Sequence, residues 1–246
     1  MSHDIEPTTT QQDTIYATLR QWVTVGRFLP GERLKIRNVA AEMGVGQMPV
    51  RAALQRLAAE GALLNVPNAG MIVPRLTAPE FDDLLQMRML LEGEAAERGC
   101  LRLEPAELAT LRKLCQRMAK ALKHPADQPA RARKSAGDKP TLKQAAVSLK
   151  ADQATDYLAA NEDFHVLLYK AAGSPLLFEL IDTLWLKAGP ISNRLFDTSE
   201  ASAVLNDAHE DLMDALDRRD AAAARRAVER DIFVAGQFLR STLKRD

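Results

Sequence analysis

Residues 38–74, NVAAEMGVGQMPVRAALQRLAAEGALLNVPNAGMIVP, decide how the chain is read. Val39, Ala40 and Met43 share one face of a first helical run, and Gly44 closes it. Val45, Gly46 and Gln47 turn the chain, and Pro49 stands where a second helix begins. Proline suits a first helical position, because its missing N–H has no partner there in any case. Val50, Ala53, Leu54 and Leu57 recur at helical spacing, leaving Arg51 and Gln55 one turn apart on the opposite face. Gly61 ends that helix. Leu63–Val66 and Met71–Val73 then flank Pro67-Asn68-Ala69-Gly70 and read as a hairpin. Helix, tight turn, helix and hairpin predict a winged helix-turn-helix, whose second helix is the usual reader of a DNA major groove.

The flanks of this stretch carry a resemblance. Phe28-Leu29-Pro30-Gly31-Glu32-Arg33-Leu34, Pro49-Val50-Arg51-x-Ala53-Leu54-x-x-Leu57, Glu60-Gly61 and Gly70 before Val73 resemble the N-terminal domain of GntR-type transcriptional regulators, in order and in spacing. The resemblance implies DNA contacts at Arg37, Arg51 and the wing glycine Gly70; Asn68 shares that wing turn, and Gln55 shares the exposed helix face with Arg51. Where the family shows Ser-Arg-Thr before the reading helix, this chain has Gly46-Gln47-Met48. Met48 at the N-cap accepts no backbone N–H, a loss of about 1 kcal/mol against threonine. Gln47 matches the N6/N7 edge of adenine, where arginine would favour guanine. Arg37, in the first turn of the preceding helix, suits a phosphate contact.

Net charge is zero, and residues 1–75 hold eight Lys/Arg against six Asp/Glu, so the DNA-binding expectation rests on motif rather than charge. A nearly neutral domain also favours a homodimer, which doubles the contacts on one site. The length of 246 residues gives room for two modest domains, and 46% hydrophobic content builds their cores. No apolar run approaches the ~20 residues of a membrane span, and nothing at the N-terminus resembles a secretory signal. Cys100 and Cys115 lack metal-site spacing and read as buried thiols, so the chain is expected to be cytoplasmic and without a membrane partner.

In chain order, residues 1–12 read as a flexible arm, and 13–75 as the winged domain, opening on a helix from Asp13 to Val25. Residues 76–246 read as an all-α antiparallel bundle for effector binding and dimerisation. Thr77 and Glu80 form a capping-box pattern at its start. Helices are expected near 78–99, 105–122, 152–172, 175–196, 200–218 and 220–243, with 123–150 a flexible basic insertion. The fold class is thus mainly α.

Several polar residues of the bundle fall on apolar stripes. Asn161 and His165 lie on the stripe Leu158–Asn161–His165–Leu168–Ala172, and His209 on Leu205–His209–Leu212–Leu216. Asp231 lies on Ala224–Val228–Asp231–Ala235–Phe238, and Arg88 on Leu84–Arg88–Leu91–Ala95. Buried polar groups must satisfy one another or line a cavity that holds a ligand. Arg88-x-x-Leu91-Glu92, Phe164-His165, Ala208-His209-Glu210…Ala215-Leu216 and Asp220-x-x-Ala223-Ala224 resemble the FCD effector domain of the FadR-like branch of the same regulators.

Many members of that branch bind a divalent metal through Asp-x-x-x-His and two later histidines. By that resemblance Asn161 stands at the aspartate position, His165 and His209 match, and Asp231 falls at the last histidine. Two readings stay open: one Zn, Ni or Mn per chain on Asn161, His165, His209 and Asp231, or a polar pocket that binds an organic effector directly. Arg88 is either a clamp for a carboxylate effector or the partner of an internal glutamate.

The chain therefore reads as a ligand-responsive regulator, a repressor by family habit, that binds a near-palindromic operator as a homodimer with a small-molecule effector in its bundle. The alternative is a metal-dependent hydrolase with an N-terminal interaction module. No residue is placed as its general base, and HExxH and phosphate-binding glycine loops are absent.

Overall fold

The computed structural model describes residues 10–122, 142–196 and 199–243. The chain begins with α1 (Gln11–Thr24), β1 (Arg33–Leu34), α2 (Ile36–Met43), α3 (Gln47–Ala59), β2 (Leu64–Val66) and β3 (Gly70–Ile72). Thr10 caps α1 through a reciprocal box with Asp13, so the helix starts two residues before the predicted Asp13. The rest of the expected arm, 1–9, lies outside the described residues. Gly44 ends α2 in the left-handed region, at φ 66°, which glycine reaches without a Cβ clash.

The predicted hairpin forms, with Leu64 opposite Ile72 and Val66 opposite Gly70. A third strand escaped the sequence reading. β1 pairs antiparallel with β3, Arg33 opposite Ile72, giving the order β1-β3-β2. Two residues leave too short a run for alternation to show. Beneath the sheet, Ile15, Leu19, Val23, Val39, Val50, Leu54, Leu57, Leu63 and Met71 build one apolar core.

The remainder is helical: α4 (Ala78–Arg102), α5 (Pro105–Leu122), α6 (Leu142–Lys170), α7 (Pro175–Ser192), a 3-10 turn (Asn193–Phe196), α8 (Ser199–Asp217) and α9 (Ala221–Leu243). The Thr77–Glu80 box caps α4, with the Thr77 N–H donating to Glu80 at 2.8 Å. α6 begins at Leu142 rather than near 152, so the last part of the expected insertion is helix; 123–141 lie outside the described residues. α7 ends at Ser192, and the chain tightens into the 3-10 turn before the predicted end at 196.

α4 packs along α9, α5 against α6 and α8, and α8 against α9. Gly99 permits the approach of α4 to α6, because a Cβ there would lie 2.3 Å from the Leu168 carbonyl oxygen. That approach brings the Glu92 face of α4 against the His165–Tyr169 turn of α6. The chain divides into two compact units, Met1–Leu76 with Trp185–Ser192, and Thr77–Leu184 with Asn193–Asp246. The first unit thus takes in the end of α7, whose Leu186 belongs to its apolar core. Among the described residues no helix is long and apolar enough to cross a membrane.

Candidate functional site

In the first unit, the buried side of α3 carries Val50, Ala53, Leu54 and Leu57, as its spacing requires. Gln47, Met48, Arg51 and Gln55 are all exposed, as are Arg37 on the first turn of α2 and Asn68 and Gly70 in the wing. The cap differs from expectation. Gly46 is the N-cap, Gln47 opens α3, and Met48 and Pro49 follow inside its first turn. Glycine at an N-cap costs only a few tenths of a kcal/mol against serine or threonine, so the larger loss assigned to Met48 does not arise. Met48 instead stands 73% exposed beside Gln47 at the start of the helix.

The wing turn is shaped by Asn68 and Gly70, at φ 63° and 84°. Arg33 donates from Nη2 to the Asn68 carbonyl at 3.1 Å and ties that turn to β1. Sequence reading did not single out Arg33, because its role depends on the β1–β3 pairing. Arg56 also lies on α3, but its guanidinium stacks 3.7 Å over the Tyr16 ring and its Nε donates to Glu60 at 3.2 Å. The Tyr16 hydroxyl donates to the same carboxylate at 2.6 Å, which fastens α1 to α3. Partial burial, then Glu60, pushes the Tyr16 phenol up to about 12.

In the second unit, the stripes converge. The ligand atoms of His165, His209 and Asp231 lie within 4.8 Å of one another. His209 Nε2 lies 3.0 Å from Asn161 Oδ1, and His165 Nε2 lies 3.5 Å from Asp231 Oδ2. Both histidines are almost fully buried, at 3% and 1% exposure. Phe164 walls them edge-on, with centroids 5.3 and 5.4 Å away. Burial pushes the Asp231 carboxyl up, but His209, His165 and Arg88 outweigh it, and the group lies below its ordinary value.

The internal glutamate anticipated for Arg88 is Glu92, and a further partner of this cluster, Tyr169, was not foreseen. Arg88 Nε donates to Glu92 at 2.6 Å, so the internal-glutamate reading describes the arginine in this structure. Tyr169 donates its hydroxyl to the other Glu92 oxygen at 2.9 Å. An ion-paired carboxylate only accepts, so the Tyr169 proton is committed to it, and the phenol oxygen accepts from His165 Nδ1–H at 3.0 Å. That fixes the tautomer which turns the Nε2 lone pair towards Asp231. The signal for both partners was in the sequence: Glu92 is four residues from Arg88 and Tyr169 four from His165, the spacing of helical neighbours.

A winged helix-turn-helix joined to a helical bundle with a polar centre defines the class of two-domain DNA-binding transcriptional regulators. Residues 11–73 match the bacterial regulatory proteins of the gntR family, and residues 83–232 match the FCD domain. The chain belongs to the GntR family, in the branch that carries an FCD domain.

Its relatives include the HTH-type transcriptional regulator McbR of Escherichia coli (strain K12), 26% identical over 179 residues, covering 73% of this chain and 69% of McbR. The HTH-type transcriptional repressor RspR of the same strain is 23% identical over 224 residues, 91% of this chain and 86% of RspR. The Nta operon transcriptional regulator of Aminobacter aminovorans is 39% identical over 85 residues, 35% of this chain and 40% of that protein. The solved structure of E. coli McbR/YncC shares the fold, with a TM-score of 0.78 at 22% identity over 95% of this chain and 98% of that one. These relatives are named as transcriptional regulators, and the chain is a regulator and not the hydrolase kept as the alternative.

Proposed function

We propose that the chain is a cytoplasmic repressor that binds a near-palindromic operator as a homodimer and releases it when a small carboxylate effector enters the bundle. Arg51 and Gln55 read base edges from the exposed face of α3, Gln47 and Met48 from its first turn, while Arg37 contacts phosphate and Asn68 and Gly70 shape the wing's approach. Met48 offers an apolar contact for a thymine methyl in place of the family's polar residue.

The observation that carries the effector half is the His165–His209–Asp231 cluster, with Tyr169 bonded to His165 at Nδ1. Two imidazoles and a carboxylate, with the Asn161 oxygen as a fourth donor, fit one first-row divalent ion such as Zn, Ni or Mn. When bound, such an ion supplies a Lewis-acid anchor for an oxygen-rich effector. The Asp231 carboxyl is held below its ordinary value by His209, His165 and Arg88, Tyr169 bonds His165 at Nδ1 and leaves Nε2 to face the cluster, and Glu92 keeps Arg88 beside it, where an entering carboxylate competes for the guanidinium. The effector shifts DNA affinity only by its differential affinity for the two states of the protein.

Elemental analysis of the purified protein tests the cluster. About one Zn, Ni or Mn per chain is expected, lost in the His165→Ala, His209→Ala double variant. Saturating metal at ~100 times its dissociation constant should stabilise the apo-protein by about 2.7 kcal/mol. An unchanged melting curve with every metal would leave direct organic binding as the mode of that site.

A further inference from the structure

Gln47, Arg51 and Gln55 stand four residues apart on α3, so their side chains form one line along the helix, and all three are exposed. Met48 and Ala52, also four apart, form a second, apolar line beside it, Met48 exposed and Ala52 half-buried. Among the described residues no hydrogen bond or ion pair engages the Arg51 guanidinium or the amide of Gln47 or Gln55. The other arginine of the helix, Arg56, is held by Tyr16 and Glu60. α3 contains no Asp or Glu. It therefore presents one guanidinium, two amides and an apolar ledge, and no carboxylate.

Each of these groups suits a different base edge. A guanidinium offers donors only, in a fork that matches the two acceptors O6 and N7 of guanine. A glutamine amide offers an acceptor and a donor, which match adenine N6–H and N7. Over guanine the amide oxygen would face O6, acceptor against acceptor. Cytosine presents an N4 donor, whose usual partner is a carboxylate. The apolar ledge matches the C5-methyl of thymine, the one apolar group among the major-groove edges.

We infer that each reading helix selects an A·T-rich half-site with a single G·C pair: guanine under Arg51, adenines under Gln47 and Gln55, and thymine methyls against Met48 and Ala52. The inference rests on α3 as the DNA reader and names the sequence class that it reads. Four residues of helix rise about 6 Å, and base pairs stack about 3.4 Å apart. With α3 along the groove, the adenines fall about two base pairs to either side of the guanine. The N-terminal residues of a reading helix make the base contacts, so the preference is sharper at Gln47 and Arg51 than at Gln55.

Selection by the full-length protein from a library of random-sequence duplexes, followed by anisotropy titration of defined duplexes, tests this. The enriched half-site should carry one fixed G·C pair, with A·T about two base pairs to either side. Changing the A·T pair under Gln47 to G·C should weaken binding about 5- to 150-fold, the loss expected for one bidentate contact. Gln47→Arg should reverse the preference at that position of each half-site and leave the fixed guanine in place. Should Gln47→Arg fail to fold, Gln55→Arg puts the same question at the other flank. Two or more fixed G·C pairs per half-site with the wild-type protein overturn the base assignment, as does a folded Gln47→Arg that keeps the wild-type preference throughout. In either case α3 remains the reader as long as Arg51→Ala loses affinity for the selected site. An Arg51→Ala variant that binds that site undiminished overturns both readings.

Discussion

In the first unit, Arg37, Arg51 and Gln55 stand exposed over a core of Ile15, Leu19, Val50, Leu54 and Met71. In the second, His165, His209 and Glu92 are themselves the core, each at 3% exposure or less, with Asp231 and Arg88 beside them. The contrast separates two ways of carrying function. A surface charge in water costs little to keep or to lose. A buried polar group must have partners, so the bundle's site and its stability are one set of bonds. The wing can change what it reads without changing whether it folds, whereas the bundle cannot change its centre one residue at a time.

The largest test of this contrast is Glu92→Ala. It removes the carboxylate that both Arg88 and Tyr169 bond, and should destabilise the bundle by about 3 kcal/mol, read as a lower urea midpoint. A loss under about 1 kcal/mol would show that the network tolerates a missing member and would blur the distinction.

Arg51→Ala comes next and should act on the other property. Operator affinity should fall by about 1–3 kcal/mol in a gel-shift titration, with stability within about 0.5 kcal/mol of wild type. Arg37→Ala should weaken binding to all sequences alike and lower the salt slope by about one ion.

Tyr16→Phe probes a place where the winged unit behaves like the bundle. Losing the bond to Glu60 should cost about 1–2 kcal/mol, as expected for a hydrogen bond to a charged group. A spectroscopic titration is the finest test. Burial raises all three phenols, Tyr16 to about 12 and Tyr157 and Tyr169 well above their ordinary value. Absorbance at the phenolate band should therefore stay flat through the region near pH 10 where free tyrosine ionises. A phenol raised in the folded state adds stability that is intact below the unfolded value and is lost as pH rises through about 12. The folded protein should accordingly weaken on the alkaline side, less steeply in Tyr16→Phe.

Much of this was legible in the residues. The spacing of Val50, Ala53, Leu54 and Leu57 fixed which side of α3 is buried, hence that Arg51 and Gln55 face out. Asn161, His165, His209 and Asp231 stood out because polar residues on an apolar stripe require an explanation, and the structure brings them together. The N-cap of α3 was misplaced by two residues, since Gly46 and Met48 are both poor markers of a helix start and Pro49 is tolerated throughout the first turn.

The sequence by itself determined the helices, the buried side of each, the hairpin and the polar residues that had to turn inward, because these follow from local periodicity and turn chemistry. Only the tertiary structure decided that Arg33 ties the wing, that Arg88 is held by Glu92, and that Tyr169 bridges Glu92 and His165. Each of these is a relation between side chains whose meeting depends on the register of one element against another. Periodicity assigns a residue to a face, and only packing supplies the residue opposite.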